Sequence, residues 1–168
     1  TPIWRNEVLT AAGMGQTVVQ EVNGRLMAFA PVGDAAYTVK STIDFANGKP
    51  HIRGGHFSGL YAFDAVTGKY LWRLDTRGAA RPVPVYRNGK LYLVTGGGHL
   101  LIVDPATGNL LGSFDNPGGS QSGLASPNWF ETPDGRLLII YGTIRPARIF
   151  GVDVTNPAQP TLAWSHTP

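Results

Sequence analysis

Leu60-Tyr61-Ala62-Phe63-Asp64-Ala65-Val66-Thr67-Gly68-Lys69-Tyr70-Leu71-Trp72 reads as an apolar strand closed by Asp, a Thr-Gly turn, and a second strand ending in Trp. Forty residues later the pattern returns as Leu100-Leu101-Ile102-Val103-Asp104-Pro105-Ala106-Thr107-Gly108-Asn109-Leu110-Leu111-Gly112. A third copy, 49 residues on, is Ile149-Phe150-Gly151-Val152-Asp153-Val154-Thr155-Asn156-Pro157, closing at Leu162-Ala163-Trp164. The Asp can cap the turn that it opens, and Gly or Asn accepts left-handed backbone there. A recurring unit of this kind decides the fold before any single element does.

A second marker precedes each copy. Asn23-Gly24, Asn88-Gly89 and Asp134-Gly135 are hairpin signals, each followed by a basic residue and an apolar run: Arg25-Leu26-Met27, Lys90 to Val94, Arg136 to Ile140. The unit is therefore strand A, Asx-Gly turn, strand B, loop, strand C, Asp-x-x-Thr-Gly turn, strand D. From Asn88 to Asp104 is 16 residues and from Asp134 to Asp153 is 19, but from Asn23 to Asp64 is 41. The first unit thus carries an insertion between B and C, near Pro31 to Ser58. Four antiparallel strands repeating every 40 to 50 residues describe β-propeller blades, the alternative being a β-sandwich with coincidental turns.

The expected architecture is all-β: a partial propeller of three four-stranded blades plus one extra outer strand. Residues 1–6, with Ile3-Trp4-Arg5, fall where the end of a strand D belongs. The blades are expected over 7–75 (carrying the insertion), 76–115 and 116–168. Propellers close with about 4–8 blades, and an open set leaves sheet edges exposed. Further blades or another protein chain are expected to complete the ring.

Composition agrees. Of 168 residues, 22 are Gly and 13 Pro, 42% are hydrophobic and 15% charged, which suits a turn-rich β-domain and argues against disorder. Zero cysteines exclude a disulfide scaffold, a thiolate metal site and a Cys nucleophile. No apolar run approaches the ~18 residues of a membrane-spanning helix, so a transmembrane chain is not expected, and a partner is one route to membrane association. A net charge of +3 gives no case for nucleic acid. Thr1 reads as a processed or trimmed start.

Tyr61-Ala62-Phe63-Asp64-Ala65-Val66-Thr67-Gly68-Lys69-Tyr70-Leu71-Trp72 resembles the tryptophan-docking repeat of the quinoprotein family. Gly112 departs from that repeat at the Trp position, and Asn156-Pro157 departs at Gly-Lys. The resemblance implies a periplasmic or otherwise extracytoplasmic protein of one of two kinds. One is a dehydrogenase for alcohols or sugars, holding pyrroloquinoline quinone and a calcium or lanthanide ion. The other is a non-catalytic propeller, such as the lipoprotein of the outer-membrane barrel-assembly machinery. The stretch from Val152 to Pro160 and on to Trp164 is also similar to propellers of pilus-tip adhesins.

No catalytic set emerges. Family dehydrogenases commonly place an Asp nine residues before the repeat Asp; here Gly55, Thr95 and Ile144 hold those positions, and none is a base. Arg87-Asn88-Gly89 looks like the family's Asp-Arg-Asn-Gly turn, but Tyr86 stands where the Asp belongs. Under the dehydrogenase reading Trp129 would stack on the quinone, and Arg53 or Arg145 would hold its carboxylates. Arg145 also occupies the position of a family metal ligand, where its charge would repel a cation. No metal site is expected: His51 and His56 flank a Gly-rich loop with Asp44 the one nearby carboxylate, and His99 reads as an exposed turn residue. The aromatic residues on the strands read as core.

Charge placement is the positive clue. The B–C loops and D–A connections of a propeller emerge on one face, which here would carry Lys40, Lys49, Arg53, Arg77, Arg81, Arg145 and Arg148 against Asp34, Asp44, Asp75 and Asp115. The whole net charge falls on that face, suiting it to an anionic ligand or an acidic partner. The expected function is a binding or scaffolding segment without catalysis, with a quinone-dependent dehydrogenase as the alternative and an adhesin third.

Overall fold

The computed structural model describes residues 13–14, 16–33, 42–46, 49–53, 59–76, 82–95, 98–117, 121–122 and 126–168; at 13–14, 33, 42–46, 49–53, 121–122 and 145 it describes the backbone alone. Among these residues run β1 (Gly13–Met14), β2 (Val18–Val22), β3 (Arg25–Gly33), β4 (Thr42–Ala46), β5 (Lys49–Arg53), β6 (Gly59–Asp64), β7 (Tyr70–Asp75) and β8 (Val85–Arg87). They are followed by β9 (Lys90–Val94), β10 (Leu100–Val103), β11 (Leu110–Phe114), β12 (Gln121–Ser122), β13 (Asn128–Glu131), β14 (Leu137–Arg145), β15 (Ala147–Asp153) and β16 (Thr161–His166). The expected outer strand at residues 1–6 lies outside the described residues.

Two compact units divide the chain, Thr1–Arg81 and Pro82–Pro168. The first holds one antiparallel sheet in the order β1-β3-β6-β7, with β2 also on β3. Strands β1 and β2 pair with opposite ends of β3, so together they fill one strand position and the blade is four strands wide. The hairpin β4–β5 forms its own two-stranded sheet inside the expected insertion. The second unit holds two blades, β8-β9-β10-β11 and β12-β14-β15-β16, with β13 sharing the β14 edge with β12. The fold is thus an all-β partial propeller of three four-stranded antiparallel blades.

The turns form where the sequence marks them. Asn23 and Gly24, then Asn88 and Gly89, all have positive φ (52°, 77°, 48° and 70°), the two-residue hairpin that matches strand twist. The third turn is longer. Thr132 N donates to Arg136 O and Gly135 N to Thr132 O, both at 2.9 Å, and Gly135 alone of Asp134-Gly135 is left-handed. At the C–D turns Asp64 Oδ1 accepts from Thr67 N (2.8 Å) and Thr67 Oγ1 (2.9 Å). Asp104 accepts from Ala106 N and Thr107 Oγ1, and Asp153 from Thr155 N, so the repeat Asp caps its turn in every blade.

Alternation along the strands makes both faces of a blade apolar. In the first blade Ala28, Ala30, Val32, Tyr61 and Phe63 pack as one cluster, while Phe29 meets Trp72 with ring centroids 5.8 Å apart. In the second unit Tyr92, Val94, Leu100 and Ile102 of one blade join Leu137, Ile139, Tyr141, Phe150, Val152 and Val154 of the next in a single core. Burying a large apolar side chain contributes about 1.5–3 kcal/mol, so this shared core is what holds the two blades face to face. Across each C–D pair one partner is small. Trp72 stands opposite Ala62 and Trp164 opposite Gly151, whereas in the middle blade Gly112 stands opposite Ile102.

Candidate functional site

The edge strands β8 and β13 bring three side chains together. Arg87 is the last residue of β8 before its hairpin, and Glu131 the last of β13 before its own. Arg87 Nη2 donates to Glu131 Oε1 at 2.7 Å and Nε to the same oxygen at 3.2 Å. The guanidinium also lies over the Trp129 ring, 4.0 Å from its centroid. Trp129 pairs with Ile139 across the strands, which directs it to the blade face that meets β8. A cation held on an indole face by a carboxylate is a clasp between blades. It occupies one face of the ring on which the dehydrogenase reading would stack a quinone.

The residues of that reading stand apart in the chain. Trp129 is opposite Ile139, and Arg145 lies six residues further along β14, about 20 Å at the usual rise of a strand. Arg53 closes β5 in the insertion hairpin, opposite Thr42. The Arg53 and Arg145 side chains, with Lys40, Lys49, Arg77, Arg81, Asp34, Asp44, His51 and His56, lie outside what is described. Of the charged face drawn from the sequence, Arg148, Asp75 and Asp115 are described.

Arg148 and Asp115 belong to a polar cluster in the second unit. His99 Nδ1 and Asp115 Oδ1 are 2.7 Å apart, Asn116 Nδ2 donates to Gly98 O at 3.1 Å, and Arg148 Nη1 donates to Pro117 O at 3.2 Å. His99 is exposed, as its turn position suggests, but it is also paired. Beneath lies Tyr141, 3% exposed, whose ring stacks on Phe150 at 5.5 Å. Burial, and after it the charge of Asp115, raise the Tyr141 pKa well above the ordinary phenol range.

Residues that the sequence reading left without a role are prominent here. Arg87 was a look-alike of a dehydrogenase motif, and Glu131 carried no signal. Their shared position, the last residue of a strand A with opposite charges in successive blades, is the pattern that could have paired them. Arg25 and Arg136, the basic residues after the first and third turns, reach the repeat Asp of their own blades: Arg25 Nε to Asp64 Oδ2 at 2.8 Å, Arg136 Nη1 to Asp153 Oδ2 at 3.9 Å. Among the described residues no group of three or more His, Asp or Glu has the arrangement of a metal site.

These features define a propeller-repeat protein built from blades clasped at their edges. The family model described as outer membrane protein assembly factor BamB matches residues 2–156, and the chain belongs to this PQQ-like, BamB-related propeller-repeat family. Tetrathionate hydrolase from Acidianus ambivalens is 30% identical over 167 residues, covering 98% of this chain and 30% of that protein. The chain therefore spans less than a third of the length of this relative. Among solved structures, BamB from Moraxella catarrhalis superposes with a TM-score of 0.50 at 17% identity, over 93% of this chain and 52% of that one. A quinohemoprotein alcohol dehydrogenase from Pseudomonas putida gives 0.53 at 16% identity, over 92% and 22%. Both likenesses are of fold. Membership of an outer-membrane assembly-factor family supports the expected extracytoplasmic location. Three blades are fewer than a propeller ring needs, so further blades or a partner chain complete it.

Proposed function

We propose that this chain is a wall segment of a larger extracytoplasmic propeller protein of the tetrathionate-hydrolase kind, one that handles a polythionate or a similar sulfur oxyanion. The observation carrying this reading is the 30% identity that runs through 98% of the chain, where the solved propellers match its fold at 16–17%. Within the whole protein the segment's part is binding and framing. Residues 7–75, 76–115 and 116–168 are successive blades, 1–6 is the outer strand of a preceding one, and the clasp of Arg87, Trp129 and Glu131 fixes two of them. The face expected to be basic, of which Arg148 is one described member, attracts the anion.

A second reading is a BamB-like scaffold that binds protein. It is favoured by the family match and by exposed apolar residues on the last blade: Phe130 (51%), Ile149 (43%), Leu162 (40%) and Trp164 (40%). Only under a dehydrogenase reading would Trp129, Arg145 and Arg53 meet pyrroloquinoline quinone, with calcium or a lanthanide beside it.

The deciding experiment incubates the purified full-length protein with tetrathionate and follows its loss together with the release of thiosulfate and sulfate. Turnover supports the first reading. Absence of both turnover and saturable tetrathionate binding overturns it.

A further inference from the structure

The turns Asn23-Gly24 and Asn88-Gly89 are conformational twins, with φ of 52° and 77° in the first and 48° and 70° in the second. All four residues are exposed. The strand pairs that border them match, Val22 opposite Arg25 and Arg87 opposite Lys90. Each Gly nitrogen is unshielded: a Cβ on Gly24 or Gly89 would meet nothing within 4 Å. An Asn carboxamide beside so open a backbone nitrogen is an electrophile next to a nucleophile. Because the two turns share one geometry, any difference in their reactivity comes from what surrounds them.

The surroundings differ at the basic residue that follows. Arg25 Nε is held by Asp64 Oδ2 at 2.8 Å. In the second blade the repeat Asp, Asp104, is engaged by Ala106 N and Thr107 Oγ1 instead. Lys90 Nζ donates to the Asn88 carbonyl oxygen at 3.2 Å. That oxygen belongs to the same peptide group as the Gly89 nitrogen. A cation bonded there favours the deprotonated, anionic form of the amide, which is the form that attacks.

We infer that Asn88 is a self-modifying site, converted faster than Asn23 because Lys90 activates the Gly89 amide, and that its conversion loosens the clasp between blades. The Gly89 nitrogen gives its proton to water and bonds to Asn88 Cγ, closing a succinimide as the side-chain nitrogen leaves with that proton as ammonia. Water then opens the ring: at Cγ it leaves aspartate, at the backbone carbonyl it leaves isoaspartate. No electrons are exchanged with any other species. The preceding residue, Arg87, is the cation that Glu131 holds over Trp129. A new carboxylate beside Arg87 competes with Glu131 for it. Isoaspartate further adds a backbone carbon to a loop whose two-residue length matches the strand twist. The inference is independent of the tetrathionate and scaffold readings.

The test is incubation of the protein at mildly alkaline pH, folded and in urea, with peptide mapping by mass spectrometry for aspartate and isoaspartate at both sites. In the folded protein Asn88 should convert about twofold or more faster than Asn23, the size of effect an exposed charge contact carries. Lys90→Met should bring Asn88 down to the Asn23 rate, and in urea the two sites should convert alike. Equal rates in the folded protein, or an Asn88 rate indifferent to Lys90→Met, would overturn the inference. A faster Asn88 that persists in urea would overturn it too, since neighbouring sequence and not the folded contact would then set the rate. Asn88→Gly keeps the left-handed turn and has no amide to lose. Ageing should shift the Trp129 fluorescence of the parent and leave that of Asn88→Gly unchanged. Unshifted emission from parent whose Asn88 has converted would overturn the effect on the clasp.

Discussion

Gly112 and Pro157 touch backbone to backbone: a Cβ on Gly112 would overlap the carbonyl oxygen of Pro157 in the C–D turn of the next blade. The two departures from the tryptophan-docking repeat, Gly for Trp in the middle blade and Asn-Pro for Gly-Lys in the last, are therefore one contact. Across the strand pair the volume is moved rather than lost, because fully buried Ile102 stands opposite Gly112 where Ala62 and Gly151 stand opposite their Trp residues. Gly112→Ala is expected to destabilise the second unit by about 1–3 kcal/mol, the usual range for overpacking. Gly112→Trp should cost more, although Trp is what the repeat has there. Urea unfolding of both variants checks this, and a stabilised Gly112→Trp would refute the coupling.

The Arg87–Glu131 bond is solvent-accessible, with the two side chains 35% and 43% exposed. Exposed ion pairs contribute little, so a double-mutant cycle on Arg87→Leu and Glu131→Gln should return a coupling of about 0.2–1 kcal/mol. Arg87→Leu should also shift the Trp129 fluorescence, since it removes a cation from the indole face. Coupling indistinguishable from zero, with unchanged emission, would dissolve the clasp.

Acid sensitivity follows from Asp64. Hydrogen bonds from the Thr67 backbone, the Arg25 guanidinium and the Thr67 hydroxyl hold its pKa down at about 2. A carboxyl lowered on folding stabilises the native state above its unfolded pKa, near 4, and that contribution is lost as pH falls toward 2. Carboxyl-carbon NMR titration should find Asp64 at about 2 in the protein and higher in Arg25→Ala. An unshifted Asp64 would show that the turn is not capped in solution.

The alkaline limb has the opposite sign. Burial raises Tyr70 and Tyr92 to about 12, and Tyr141 further. Phenols raised on folding stabilise the native state fully below pH ~10 and less as pH climbs toward their folded values. Spectroscopic tyrosine titration should show these groups ionising late, together with unfolding. A single transition near pH 10 with the fold intact would contradict their burial.

The blade pattern was legible because it is written locally. The Asx-Gly turns, the capping Asp and period-two alternation each need only neighbouring residues, and all three blades formed from them. Even so, Asp134-Gly135 made a longer turn than Asn23-Gly24, because Pro133 precedes it and only Gly135 takes the left-handed backbone. The sites were less legible because they join residues distant in sequence on separate strands. Arg87 and Glu131, 44 positions apart, look like unrelated surface residues until the two blades are stacked, and His99 and Asp115, 16 positions apart, meet only once β10 and β11 pair. Trp129 was noticed for its type, yet its guanidinium neighbour comes from another blade.

The central claim is that this chain is part of a ring completed elsewhere. Native mass spectrometry of the purified 168-residue chain, alone and mixed with candidate completing blades or a candidate partner chain, tests this most directly. The account predicts that the chain self-associates alone and forms a defined complex with the remaining blades. A cooperatively folded 18.0 kDa monomer that ignores them would contradict it.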